Sequence, residues 1–129
     1  MPSPTVAVLV RTKDRPRFLR RALANIAEQT FTDYTVCVIN DGGDESATRA
    51  ILQASPLAHL LEGDAPRLML LTTSGGNMEA ASNAGLAATD SEFVAIHDDD
   101  DLWAPEFLER TVGALRASEA LICSTRVVE

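Results

Sequence analysis

Short β-branched runs alternate along this chain with segments of helical spacing, and few folds accommodate that order. Thr5 to Val10, Thr35 to Ile39, Leu68 to Thr72, Phe93 to Ile96 and Leu121 to Val128 read as buried strands. Between the first two, Pro16 to about Gln29 places Leu19, Ala22, Leu23 and Ile26 on one helical face, with Asp14 as candidate N-cap. Ser46 to Ala54 follows Asp44, a second candidate cap, and stops before Pro56. Further helices are expected over Met78 to Ala88 and Pro105 to Ala117, with Pro56 to Pro66 as a loose connecting loop. Strand, helix, strand, repeated to the end, predicts an α/β domain: a Rossmann-like, mostly parallel sheet flanked by helices. Its 129 residues suffice for one domain, spanning 1–129, and not for two.

In such sheets ligands bind beyond the carboxyl ends of the strands, so the residues just after each strand are informative. Arg11-Thr12-Lys13-Asp14 follows the first, Asn40-Asp41-Gly42-Gly43 the second, Ser74-Gly75-Gly76-Asn77 the third, and His97 with Asp98 to Asp101 the fourth. Polar and charged residues therefore gather at one edge of the sheet. Four consecutive carboxylates need relief: two unit charges about 5 Å apart repel by roughly 3 kcal/mol at an effective dielectric near 20. A solvated acidic loop would supply it, and so would a bound cation. The run ends an apolar strand at the ligand-binding edge, which favours the cation, and hard oxygen ligands suit Mg²⁺ or Mn²⁺.

Net charge bounds the partners. At −8 the chain is a poor match for a nucleic-acid backbone or an anionic membrane surface. Phosphate ligands remain open to it, because a metal inverts the local sign of an acidic cleft. No secretory signal precedes the first strand, and no apolar stretch approaches the length of a membrane span. Cys37 and Cys123 both lie in apolar runs without metal-ligand spacing, so buried, reduced thiols and a cytoplasmic location are expected.

The motifs, in order, resemble those of family-2 glycosyltransferases of the GT-A fold. Val6 to Val10 leads into Arg15-Pro16-Arg17-Phe18-Leu19; Gln29-Thr30-Phe31 and Asn40-Asp41-Gly42 come next. Then come Asn83-Ala84-Gly85-Leu86 and the aspartates before Leu102-Trp103-Ala104-Pro105. The resemblance covers nearly the whole chain. It implies an inverting glycosyltransferase of the hexosyltransferase type, whose donor is a nucleoside-diphosphate sugar, UDP-sugar favoured, held by Mn²⁺ or Mg²⁺. Asp98-x-Asp100 matches the DXD motif, making Asp100 the principal metal ligand, Asp98 an auxiliary one and Asp99 a ribose contact. The alternative frame pairs Asp99 with Asp101. Asp41 matches the aspartate that accepts from the base, and Arg11, Thr12, Lys13 and Asn83 match positions near the nucleotide. Trp103 reads as packing beneath the acidic loop and His97 as a strand-end residue.

Two positions depart from the family pattern: Ser82 stands where an arginine is common, and Asn40 where an aspartate is. The family's general base lies well beyond the DXD motif, so on this resemblance it falls beyond Glu129, together with the acceptor half. The acceptor is not specified. A non-catalytic nucleotide-binding or interaction module of the same fold is the alternative. A receiver-type signalling domain requires acidic residues after the first strand, where this chain has Arg11-Thr12-Lys13. A haloacid-dehalogenase-like phosphatase requires its aspartate pair at that same place.

Overall fold

The strands at the centre of the molecule are apolar on both faces, and this sets the layering. In the computed structural model, which describes residues 4–74 and 78–123, four strands form one parallel sheet. They are β1 (Val6–Thr12), β2 (Tyr34–Asp41), β3 (Leu68–Thr73) and β4 (Phe93–Asp98), in the order β3-β2-β1-β4. Val6 to Val10 and Val36 to Ile39 are all buried, as expected for strands covered on both sides. Each strand extends past its apolar run into polar residues, so Arg11, Thr12, Asp41, Thr73, His97 and Asp98 are strand residues.

Helices α1 (Pro16–Ala27), α2 (Glu45–Gln53) and α4 (Phe107–Ala117) supply Leu19, Leu23, Ile26, Ile51, Leu52, Leu108 and Val112 to a core with Val8, Val10, Val36 and Val38. Burying each large aliphatic side chain of this set stabilises the fold by about 1.5–3 kcal/mol. The opposite face carries Leu9, Cys37 and Ile39 against Ala81 of α3 (Met78–Ala88). Gly85 lets α3 come close: a Cβ there would stand 2.7 Å from Ile39 Cδ1. Asp44 caps α2, its carboxylate accepting from the Ala47 N–H at 3.1 Å.

Several expectations change. Asp14 does not cap α1, whose N-cap is Arg15 with no side-chain bond. It adopts φ 49°, a left-handed conformation that aspartate tolerates, and its carboxylate accepts from the Asp44 N–H at 3.1 Å, joining the start of α2 to the β1–α1 turn. Helix α4 begins at Phe107, not Pro105. The stretch from Pro56 to Pro66 is not merely loose: it holds a 3₁₀ turn over Ala58–Leu61 and sinks Leu57 into the core. Of the expected fifth strand, Leu121, Ile122 and Cys123 are irregular and exposed, and 124–129 lie outside the described residues. So do Gly75, Gly76 and Asn77. No helix among the described residues is long and apolar enough to cross a membrane.

The two thiols separate. Cys37 is buried, and burial pushes its pKa up to about 11; Cys123 is exposed, against the expectation that both are covered. Since the thiolate is the reactive form, an aromatic disulfide reagent at pH 8 should label one thiol in the native chain and two in urea. Cys123→Ser should abolish native-state labelling. Comparable native rates at both thiols would contradict the burial of Cys37.

Candidate functional site

The sheet register assembles the polar strand ends. Arg11 on β1 sits beside Ile39 of β2 and Asp98 of β4; Thr12 sits beside Asn40, and Asp41 beside Thr73. Above them opens a cleft of about 260 Å³ lined by Arg11, Thr12, Lys13, Arg15, Asp41, Asp98, Asp99 and Asp100. Four carboxylates face three cationic side chains, so one divalent cation would turn the balance positive and suit a diphosphate.

The acidic run is a turn with its side chains sorted by role. The Asp101 N–H donates to the Asp98 carbonyl at 2.9 Å, while the Asp98 N–H donates to Asp101 Oδ2 at 3.1 Å. Asp101 is thus occupied in closing the turn. Asp99 is buried, accepting from Thr12 Oγ1 at 3.0 Å and pairing with Arg15 at 3.0 Å. Burial pushes its carboxyl above the ordinary value, against the Thr12 hydroxyl and the Arg15 guanidinium. Asp98 pairs with Arg11, whose Nε donates at 3.0 Å and whose Nη1 donates to Ser82 Oγ at 3.2 Å. Asp100 is more exposed, its side chain 55% accessible, and meets only a distant Arg15 nitrogen at 3.9 Å.

Helix α1 holds this turn in place from below. Asn25 accepts from the Trp103 N–H at 2.8 Å and donates to the Trp103 carbonyl at 2.9 Å. Its Oδ1 also lies 2.9 Å from Nε2 of the fully buried His97, whose Nδ1 lies 2.8 Å from the Asp98 carbonyl. Just past the end of the helix, Gln29 donates to the Ala104 carbonyl at 2.9 Å and accepts from the Leu108 N–H at 3.1 Å. Trp103 packs between His97, 4.5 Å away, and Phe107, stacked at 4.4 Å. Burial pushes the His97 imidazole below its ordinary value, opposed by the Asp98 carbonyl and the carboxylates of Asp101 and Asp98.

The Asp41 turn is fixed by an amide. Asn40, fully buried, donates to the Gly43 carbonyl at 2.8 Å and accepts from the Gly43 N–H at 3.0 Å. A carboxylate here has no proton to donate at neutral pH, so this departure from the family pattern is a structural fit. Gly42 takes φ 87°, and a Cβ on Gly43 would stand 2.7 Å from Asn40 Oδ1. The other departure, Ser82, accepts from Arg11, so a guanidinium lies beside that position although it comes from β1.

Of the residues singled out from the sequence, Arg11, Thr12, Lys13, Asp41, Asp98, Asp99 and Asp100 meet in the cleft. Asn83 is exposed on α3 and is not among the lining residues. Arg15, Asn25 and Thr73 were missed. Arg15 stands in the Arg-Pro motif that marks a helix start, and Asn25 breaks an otherwise apolar helical stripe, which was the available signal. His97 and Trp103 behave as expected, as strand-end and packing residues. Among the described residues, no three His, Cys, Asp or Glu side chains converge as a ready metal site. Asp98 and Asp100 both line the cleft, and two carboxylates suit a cation that takes its remaining oxygens from a diphosphate and water.

A parallel sheet flanked by helices, with charged residues at its carboxyl edge, defines a Rossmann-like α/β domain. The sequence profile of glycosyl transferase family 2 matches residues 7–129, and the chain belongs to that family. It is 28% identical over 117 residues to an uncharacterized glycosyltransferase of Nostoc sp., covering 90% of this chain and 34% of that protein. It is 37% identical over 95 residues to the succinoglycan biosynthesis protein ExoW of Rhizobium meliloti, covering 72% of this chain and 28% of that one. Among solved structures, the mannosyltransferase PcManGT of Pyrobaculum calidifontis, in complex with GDP-Man and Mn²⁺, superposes with a TM-score of 0.70 at 26% identity over 87% of this chain and 32% of that one. S. aureus TarS in complex with UDP-GlcNAc also gives 0.70, at 19% identity over 88% of this chain and 31% of that one. The fold is therefore the GT-A fold. The chain spans about a third of the length of these relatives.

Replacing Asn25 tests the clamp beneath the acidic turn. Asn25→Ala removes the partner of buried His97 Nε2 and of both Trp103 backbone groups, which should cost about 2–4 kcal/mol. Asn25→Asp keeps the acceptor and loses the donor, and should fall between. Urea unfolding of the two variants checks the order; an Asn25→Ala chain as stable as wild type would contradict it.

Proposed function

We propose that this chain is the donor-binding part of a metal-dependent, inverting glycosyltransferase. The carrying observation is the convergence of Asp41, Arg11, Lys13 and the Asp98–Asp100 carboxylates in one cleft at the carboxyl edge of the sheet. In this reading the nucleoside lies towards β2, where Asp41 accepts from the base, and the diphosphate lies towards Asp100. Thr12 and Asp99 border the ribose, with one qualification: both oxygens of Asp99 already have partners, so it acts by shaping the cleft as much as by direct contact. Asn83 would reach a nucleotide only from the outer side of α3.

Asp100 is the best candidate for principal metal ligand because it is the least engaged of the four carboxylates, and Asp98 is the auxiliary one. Mn²⁺ or Mg²⁺ bound there would neutralise charge on the leaving diphosphate. Lys13 and Arg15 add positive charge to the same cleft. UDP-sugar is the favoured donor. TarS was solved with UDP-GlcNAc and PcManGT with GDP-Man, which supports nucleotide-sugar binding without choosing the base. The general base that deprotonates the acceptor, and the acceptor platform, are placed beyond Glu129. The chain's share of its relatives' length supports this. A cytoplasmic site of action goes with a donor of this class.

The reading makes an ordered prediction for calorimetry. Mn²⁺ should tighten UDP binding, Asp100→Asn should remove most of that gain, Asp98→Asn less, and Asp101→Asn least, since Asp101 closes the turn. Asp41→Ala should weaken uridine and UDP alike by about 1–3 kcal/mol, the range for a hydrogen bond to a charged group. An Asp100→Asn chain with undiminished metal-dependent UDP affinity would remove the metal assignment. Equal uridine affinities for wild type and Asp41→Ala would remove the base assignment.

A further inference from the structure

Asp41 enters the cleft with one of its two carboxylate oxygens already taken. Thr73, its register neighbour at the end of β3, donates its hydroxyl to Asp41 Oδ1 at 2.7 Å. Oδ2 has no hydrogen-bond partner among the described residues, and Asp41 lines the cleft. Thr73 is half-buried, and its neighbour Thr72 donates instead to Glu45 Oε1, at 3.1 Å, so Thr73 is the β3 hydroxyl that reaches Asp41.

We infer that Thr73 sets the choice of base: by occupying Asp41 Oδ1 it leaves one acceptor oxygen for the ligand, which fits the single N–H of a uracil-type imide and disfavours guanine. The inference rests on the reading of the cleft as a donor site in which Asp41 meets the base. The chemistry is that of matching edges. Uracil and thymine present one donor, N3–H, between two carbonyl acceptors. Guanine presents two adjacent donors, N1–H and the exocyclic amine, which a carboxylate pairs best with both oxygens free. Donation from Thr73 draws on Oδ1 and so weakens the second guanine contact. The same donation relieves the lone-pair repulsion between Oδ1 and the carbonyl beside uracil N3. Oδ1 keeps a second lone pair, so guanine is disfavoured and not forbidden. Adenine and cytosine offer the carboxylate an exocyclic amine but set an unprotonated ring nitrogen beside it, whose lone pair repels the second oxygen. Nothing in this arrangement senses the C5 methyl, so thymine and uracil are treated alike.

The test is the ratio of affinities, which a merely structural role for Thr73 would not move. UDP, dTDP and GDP are titrated in the presence of Mn²⁺ into the wild-type chain, Thr73→Val, Thr73→Ala and Thr73→Ser, each first shown to be folded by thermal unfolding. The wild type should bind UDP and dTDP at least about tenfold more tightly than GDP, the weight of one hydrogen bond to a charged group. Thr73→Val and Thr73→Ala should shrink that preference by about tenfold, with UDP losing and GDP gaining, while Thr73→Ser keeps it. A UDP-to-GDP ratio unchanged in both hydroxyl-free variants, or a wild type that prefers GDP, overturns the inference and leaves the donor site standing. Absence of binding for all three nucleotides overturns the donor-site reading and this inference with it.

Discussion

Two amides, Asn25 in the last turn of helix α1 and Gln29 just past its end, hold the end of β4 in the position the site requires. Both side chains meet the loop after the acidic turn, and between them they bond Trp103, Ala104, Leu108 and His97. The loop itself has little to fix it: Leu102 is exposed, and α4 does not begin until Phe107. Backbone groups in such a loop need partners wherever water is excluded, and side chains from a rigid helix and the residues just after it provide them. The helix is rigid because Leu19, Ala22, Leu23 and Ile26 anchor its apolar stripe on the sheet. Core packing thus reaches the acidic turn through two amide side chains.

The turn could not stand on that scaffold without counter-charge. Four adjacent carboxylates destabilise a domain whose net stability is itself small. The fold disposes of them differently: Asp98 meets Arg11, Asp99 is buried against Thr12 and Arg15, and Asp101 bonds the backbone of its own turn. Asp100 is left facing the cleft. Arg11 and Arg15 therefore have two uses, lowering the repulsion within the run and bringing positive charge to the wall that a diphosphate would face.

The strand–helix alternation, the four helices and the gathering of polar residues at one edge were all readable from hydrophobic period and turn residues. Seven of the eight binding and metal candidates meet in the cleft because strand ends in a parallel sheet lie together whatever the side chains do. Asn83 is the exception, since a position on a helix surface depends on the rotation of that helix, which local sequence does not specify. Asp14 misled for a related reason: an aspartate two residues before a proline has the signature of a cap, and only the tertiary position of α2 diverts its carboxylate to Asp44. Arg15, Asn25 and Thr73 were not readable as site residues. Their roles rest on partners 84, 78 and 32 residues away, Asp99, Trp103 and Asp41.

Register decides what each strand end contributes, because side chains alternate between faces with period two. Arg11, Asp98, Asp41 and Thr73 share the face of the sheet that α3 covers with Leu9, Ile39 and Ala81. Thr12, Asn40 and His97 fall on the other, above the core built with α1 and α2. The first group reaches the cleft or its neighbours; of the second, Asn40 and His97 bond backbone and side chains that set turns, and Thr12 bonds buried Asp99. A slip of one residue in β1 would exchange Arg11 and Thr12, burying a guanidinium in an aliphatic core and leaving Asp98 unpaired. The same apolar alternation that stabilises the sheet therefore sorts the strand-end residues between the cleft and the turns that carry it, with Thr12 serving both.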